Sequence, residues 1–243
     1  MPMRIDGRRV VLRDWRAADL AAHREWLRPG HEWQRWDAPY YGPPSPGDAD
    51  GAVEHLRREI AAGDWPTPRR RLAIADPSTD GYLGLVSWYW ESEPSDWRRV
   101  GIVLHDPATW SGGLGTEALT LWTTYLFATT GAHRLDFATW SGNERMCRLG
   151  RTLGWTEEAR FRDAREVRGE RYDSVVYGVL RKEWRGPGAS GSRPGPIDTP
   201  GSPVPPRLPK AEEQDGRAHD GQPEARGRQQ PSQRSASESR GAR

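Results

Sequence analysis

The sequence predicts an α/β (α+β) domain over residues 4–185, built on a mixed, mostly antiparallel sheet flanked by helices, with a disordered tail over 186–243. Three observations predict it. Short β-branched or aromatic runs alternate with helical stretches. Three runs follow one another across short turns, which points to antiparallel pairing, while one helix separates two strands and so points to a parallel crossover. Finally, the composition breaks near residue 185: all 13 Trp, 7 Tyr and 3 Phe precede it, and Ile197, Val204 and Leu208 are the only large aliphatics beyond. Such a tail cannot bury enough apolar surface to offset the entropy of ordering.

The elements follow in order. RRVVLRD (8–14) reads as a strand, and AADLAAHREWL (17–27) as a helix with Leu20, Ala21 and Leu27 at helical spacing. Residues 28–47 contain Pro29, Gly30, Pro39 and PPSPG, and read as a loop. A second helix spans 48–63, with Val53, Leu56 and Ile60 on one side and Gly63 as its end. RLAIAD (71–76), LGLVSWYW (83–90) and RRVGIVLH (98–105) read as a meander joined by DPSTDG and ESEPSD. A glycine-rich turn then feeds a helix at 116–130, whose Leu119, Leu121, Trp122, Tyr125 and Leu126 make a broad apolar stripe. RLDFAT (134–139) is the crossover strand. A helix at 143–153 stops at Gly154, and strands near 157–164 and 173–181 close the domain.

Charge and cysteine content narrow the function. The tail holds 9 Lys+Arg and 7 Asp+Glu of the chain's 36 and 34, which leaves 27 of each in the domain. A neutral domain lacks the basic excess of a nucleic-acid binder, so no nucleic-acid partner is expected. One cysteine, Cys147, can form neither an internal disulfide nor a Cys-rich zinc site, and no metal is expected. No apolar run approaches the about 20 residues that cross a bilayer, and the N-terminus has no apolar segment. The expected compartment is the cytoplasm.

The chemistry concentrates in GIVLHDPATWSGGLGTEAL (101–119), a strand, a glycine-rich turn and a helix start. Glycines let a ligand approach the backbone, and the first helical N–H groups with the helix dipole favour an anion such as a pyrophosphate. The segment lacks the Gly-Lys-Ser/Thr end of a P-loop and the Rossmann glycine spacing. On the turn alone, a plain strand–helix connection is an equal account.

WSGGLGTEAL resembles motif A of the GNAT acetyltransferases, Gln/Arg-x-x-Gly-x-Gly/Ala. Gly113 and Gly115 take the two small positions, and Trp110 stands where Gln or Arg leads. That Trp-Gly-x-Gly form is similar to the branch of ribosomal-protein N-terminal acetyltransferases. HRLDFATWSGNERMCRLGRTLGW resembles the same branch's strand, Asn, helix and Leu-Gly-Phe sequence, with Asn143 and Leu153-Gly154-Trp155 in place. RGERYDSVVYGVLRKEW resembles its closing strand.

The resemblance implies an N-acetyltransferase that moves the acetyl group of acetyl-CoA to a primary amine, a protein N-terminus or a small molecule, in a ternary complex. It implies main-chain pairing of Val103, Leu104 and His105 with the pantetheine arm, amides of Gly112, Gly113, Leu114, Gly115 and Thr116 on the pyrophosphate, and Asn143 near the pantetheine or the acetyl end. Asn143 is equally an N-cap. The family's thiol-protonating Tyr position is Gly150, the branch's Ser position is Met146, and Cys147 reads as a small buried residue. Glu91, then Asp37, are the general-base candidates, although each taken singly reads first as an ordinary loop acid. Both lie in stretches that mix aromatics with acids, WQRWDAPYY and SWYWESEPSDW, which leads us to expect a cationic amine in an aromatic, acidic pocket. His105 and His133 are further candidates by chemistry. The alternative is a non-catalytic acyl-CoA-binding module that acts as a sensor or assembly part. A homodimer is left open.

Overall fold

The computed structural model describes residues 2–42 and 45–186. The expected disordered tail, from 187 onward, lies outside the described residues. The strands are β1 (Arg4–Asp6), β2 (Val11–Arg13), β3 (Arg71–Ala75), β4 (Tyr82–Ser92), β5 (Trp97–Leu104), β6 (Arg134–Trp140), β7 (Thr156–Val167) and β8 (Glu170–Leu180). The helices are α1 (Asp19–Leu27), α2 (Pro46–Ala62), α3 (Leu114–Thr129) and α4 (Glu144–Thr152). One eight-stranded sheet runs β1-β2-β3-β4-β5-β6-β8-β7. Every neighbouring pair is antiparallel except β5 with β6, the crossover through α3. The mixed, mostly antiparallel architecture is the one the sequence pattern predicts.

Each face of the sheet has its own core. On one face, Val86, Trp88 and Val100 pack with Leu119, Trp122 and Leu126 of α3. Trp122 is fully buried, and its indole N–H donates to the Ser87 carbonyl of β4 at 3.0 Å, so the largest apolar side chain of α3 leaves no polar atom unpaired. On the other face, Leu20, Val53 and Leu56 of α1 and α2 cover Ala73, with Leu85 alongside. Two buried ion pairs pin the sheet's first half: Arg13 to Asp19 at 2.7 Å and Arg69 to Asp14 at 2.8 Å.

The boundaries differ from expectation in three places. The expected strand 8–14 shortens to β2, the second arm of a hairpin with β1, because the Gly7 amide closes a turn on the Val10 carbonyl at 2.9 Å. A Cβ at Gly7 would lie 2.7 Å from that oxygen, so this tight turn needs glycine. The loop 28–47 holds two 3-10 turns, 32–35 and 39–41, and its end already belongs to α2. There Ser45 and Asp48 form a reciprocal capping box and Pro46 takes the first helical position, where its missing N–H costs nothing. The last hairpin is longer than expected, closed by Arg168 and Gly169, both at positive φ, the conformation of a two-residue hairpin turn.

Candidate active site

The cleft exists because two strands part. β5 and β6 pair only at Arg98 with Leu135 and Arg99 with Asp136. Beyond these residues β5 stays with β4 as far as Leu104, while β6 stays with β8 as far as Trp140. The gap is a cleft of about 360 Å³. Residues 100–104 form one wall and 137–140 the other; Gly113, Gly115 and Thr116 of the turn also line it, as do Trp36, Asp37 and Tyr40.

The register decides which backbone groups face that gap. The His105 amide donates to the Leu83 carbonyl at 3.1 Å, and Leu85 pairs with Val103. Backbone groups alternate sides along a strand, so Val103 and His105 address β4, while Ile102 and Leu104 address the cleft. This turns Val103 and His105 away from the cleft, against the sequence-based assignment, and leaves Leu104 and Ile102 as the residues whose backbone groups face it. The Leu104 carbonyl already accepts from the Trp110 indole at 2.8 Å. The His105 ring is 1 % exposed and sits among Trp26, Trp33, Tyr82 and His23 rather than in the cleft. Burial, with His23 beside it, lowers its pKa to about 3, so the ring is neutral.

The turn before α3 is a built concavity. Asp106 caps it through the Ala108 amide at 2.9 Å, and Ser111 and Gly113 take positive φ of 62° and 85°. The amides of Leu114, Gly115 and Thr116 open the helix and have no partner within it. Gly115 is the informative residue. A Cβ there would meet only Leu104 Cδ1 at 3.8 Å and Ile102 Cδ1 at 3.9 Å, ordinary contacts. The protein alone has room for a side chain at this cleft-lining position, so the glycine leaves the backbone open to the close approach of a ligand. Gly112 and Leu114 do not line the cleft. The Gly112 carbonyl instead accepts from Arg9, which brings that guanidinium beside Gly113.

Asn143 opens α4 and faces the cleft, and its side chain is doubly engaged. Its Oδ1 accepts from the Met146 amide at 3.2 Å, the N-cap bond, and its Nδ2 donates to the Trp36 carbonyl at 3.1 Å. The Trp140 indole donates to the same carbonyl at 3.0 Å. Two bonds therefore hold the residue before Asp37, and the residue after it, Ala38, is forced to a φ of 46°. Asp37 is the one carboxylate lining the cleft among the described residues. Its side chain makes no hydrogen bond or ion pair there and keeps surface toward the cleft. Surrounding protein nevertheless desolvates the carboxylate and raises its pKa.

The other sequence-derived candidates fall elsewhere. Glu91 does not line the cleft; its carboxylate is committed to Arg99 at 2.8 Å, the same guanidinium that holds the buried Asp136. Strand position alone could not reveal that partner, which lies on the neighbouring strand. His133 is exposed beyond α3, away from the cleft. Cys147 is buried, with its thiol pKa raised by desolvation. A Cβ at Gly150 would lie 2.8 Å from Tyr177 and 2.9 Å from Phe137, so no side chain fits at that position. Sequence reasoning missed two cations of α4 that line the cleft, Arg145 and Arg148. Arg145 lies between the rings of Trp36 and Trp110, 4.9 and 4.8 Å from their centroids. Their spacing of three on a helix opposite the turn was the available signal.

The strand splay and the glycine-lined helix start form a cleft that can hold an elongated, phosphate-bearing ligand, with the Asp37 carboxylate on its lining. Residues 9–156 match the family described as the Acetyltransferase (GNAT) domain, and the chain belongs to that family. Over 74 residues it is 32% identical to the Bacillus subtilis (strain 168) protein named "Putative ribosomal N-acetyltransferase YdaF", a match covering 30% of this chain and 40% of that relative. Two solved structures share the fold. Spermidine N-acetyltransferase from Vibrio cholerae, in complex with CoA and spermine, superimposes with a TM-score of 0.59 at 16% identity, covering 73% of this chain and 98% of that one. The ribosomal L7/L12 alpha-N-protein acetyltransferase RimL, in complex with coenzyme A, does so with a TM-score of 0.57 at 15% identity, covering 73% and 98%. Among the described residues no helix is long and apolar enough to cross a membrane.

Proposed function

We propose that the protein is an N-acetyltransferase that carries the acetyl group of acetyl-CoA to a primary amine, a protein N-terminus or a small molecule, by direct attack in a ternary complex. The observation that carries this reading is Gly115, a cleft-lining glycine at a helix start that leaves the backbone open to a ligand. The pyrophosphate would meet the amides of Gly115 and Thr116 and the guanidinium of Arg9, with Arg145 and Arg148 adding positive charge. The pantetheine amides would pair with Ile102 and Leu104 as an added strand in the splay. The relatives' printed activities, on a ribosomal protein and on spermidine, agree with an amine acceptor, and the similarity to YdaF agrees with the ribosomal-protein branch.

The chemistry then rests on few groups. Asp37 would take the proton of the arriving ammonium, leaving a neutral amine; its raised pKa makes it a stronger base than an ordinary carboxylate. The amine nitrogen attacks the thioester carbon, the C–N bond forms, the C–S bond breaks, and the proton that the acylated nitrogen sheds reaches the departing thiolate through water, since neither Met146 nor Gly150 can give one. Holding both substrates in one cleft supplies much of the rate. Calorimetric titration tests the binding half: Gly115→Val should weaken acetyl-CoA binding by about tenfold or more, because its methyl groups enter the cleft. Equal affinity in the variant and the parent overturns this site. We place the protein in the cytoplasm on its lone cysteine.

A further inference from the structure

Around Tyr40 the charges do not cancel pairwise. Glu91 and Asp136 share Arg99, Asp96 holds Arg98, Glu32 holds Arg35 at 3.1 Å, and Glu166 holds Arg171 at 2.9 Å. Of the acids in the two aromatic stretches, Glu91 and Asp96 are paired in this way, while Glu93 and Asp37 have no such partner among the described residues. Neither Asp37 nor Arg165 makes a side-chain hydrogen bond or ion pair among the described residues. Both act on the Tyr40 hydroxyl, with opposite signs. The guanidinium carbon of Arg165 lies 4.3 Å from the Tyr40 ring centroid and 5.8 Å from that of Tyr41. Its Nε is buried without a partner. Seated against the tyrosine ring, the guanidinium keeps N–H donors without a protein partner, donors of the kind that receive a carboxylate.

We infer that the acceptor is an amine that also carries a carboxylate, with Arg165 as the specificity-determining residue that receives it. This rests on the acetyl-transfer reading above. Asp37 would attract the ammonium end and Arg165 the anionic end, with Tyr40 between them. A polyamine would find one carboxylate and an opposing cation. The carboxylate can belong to an acidic side chain near a peptide N-terminus or to the α-carboxylate of a free amino acid. Arg165 stands outside the cleft that would hold acetyl-CoA, so it distinguishes acceptors without touching the donor.

The test is acceptor kinetics with the full chain. One arm pairs short C-terminally amidated peptides that begin with Glu or Asp against those that begin with Gln or Asn. A second arm pairs free amino acids against their α-amides. The parent should prefer the carboxylate member of one arm by about tenfold or more in kcat/KM, carried mainly by KM. Arg165→Gln should abolish that preference and leave the neutral members unchanged; Arg165→Lys should restore part of it. Equal rates for carboxylate and neutral members, or an equal loss on both in Arg165→Gln, overturn this inference alone. Absence of CoA release with every acceptor overturns the acetyl-transfer reading and this inference with it.

Discussion

The side-chain amide of Asn143 donates to the main-chain carbonyl of Trp36 at 3.1 Å, across a sequence distance of 107 residues, while its oxygen caps α4. The helix that lines the cleft and the loop that carries Asp37 are thus tied through one residue. Asn143 is a positioning residue in this account, and its two bonds separate by substitution. Asn143→Asp keeps the cap acceptor and removes the donor. The melting temperature should change little, while kcat/KM for the amine falls about tenfold with acetyl-CoA affinity retained. Asn143→Ala should lose both bonds and about 1 kcal/mol of stability besides. Equal kinetics in parent and Asn143→Asp would remove the positioning role.

Asp37 links activity to stability with opposite signs. Burial raises its folded-state pKa above the unfolded value, so the unfolded chain releases that proton first. Stability is therefore lost as pH rises from the unfolded value through the folded one, and the cost persists at pH 7. Asp37→Asn should leave the melting temperature at pH 7 equal or higher and lower kcat/KM by about 100-fold or more. It should also erase the acid limb of the pH profile that the carboxylate sets. A variant that is less stable yet equally active would refute both halves.

The buried imidazoles make the fold sensitive to acid. Burial, with Arg71 adding, lowers His23 to about 4, and burial with His23 lowers His105 to about 3, both from 6.5. Below 6.5 the unfolded chain binds protons that the folded chain refuses, so stability declines from there down through these values. The melting temperature should fall between pH 6.5 and 4. His105→Phe, inside the same aromatic cage, should flatten the decline. Its persistence at full size in that variant would assign acid sensitivity to other groups.

Much of this was legible in the sequence, for local reasons. The α3 stripe through Leu119, Trp122 and Leu126, the end of α2 at Gly63 and the Asn143 cap depend on neighbours within a turn or two. The glycine turn was visible because Gly113 and Gly115 stand in one short segment. What escaped depends on residues brought together from afar. Arg99, paired with Glu91, sits on the next strand, so Glu91 looked free. The strand alternation that turns Val103 and His105 toward β4 needs the register with Leu83 and Leu85. Asp37 becomes the preferred base candidate because the loop brings it to the lining of the cleft, which its position in the sequence does not show.

Gly150 explains why one familiar proton donor is absent. Its missing Cβ would stand within 3 Å of both Tyr177 and Phe137, which stack on each other at 5.4 Å. Gly150→Ala should overpack the α4 contact and destabilise the fold by about 1–3 kcal/mol, read by denaturant melts. Gly150→Tyr should yield an unfolded or aggregated protein rather than a faster enzyme. A well-folded Gly150→Tyr with raised kcat would show that the place was vacant after all.

The central claim is that the cleft between β5 and β6 delivers acetyl groups to amines. The most direct measurement supplies the purified chain with acetyl-CoA and amine acceptors, following thiol release and the mass of each acceptor together. The account predicts one acetyl group gained on an amine for each thiol released, with both signals lost in Gly115→Val. Tight acetyl-CoA binding with no acetylated amine in any reaction would contradict it, and would leave the cleft as an acyl-CoA-binding site without turnover.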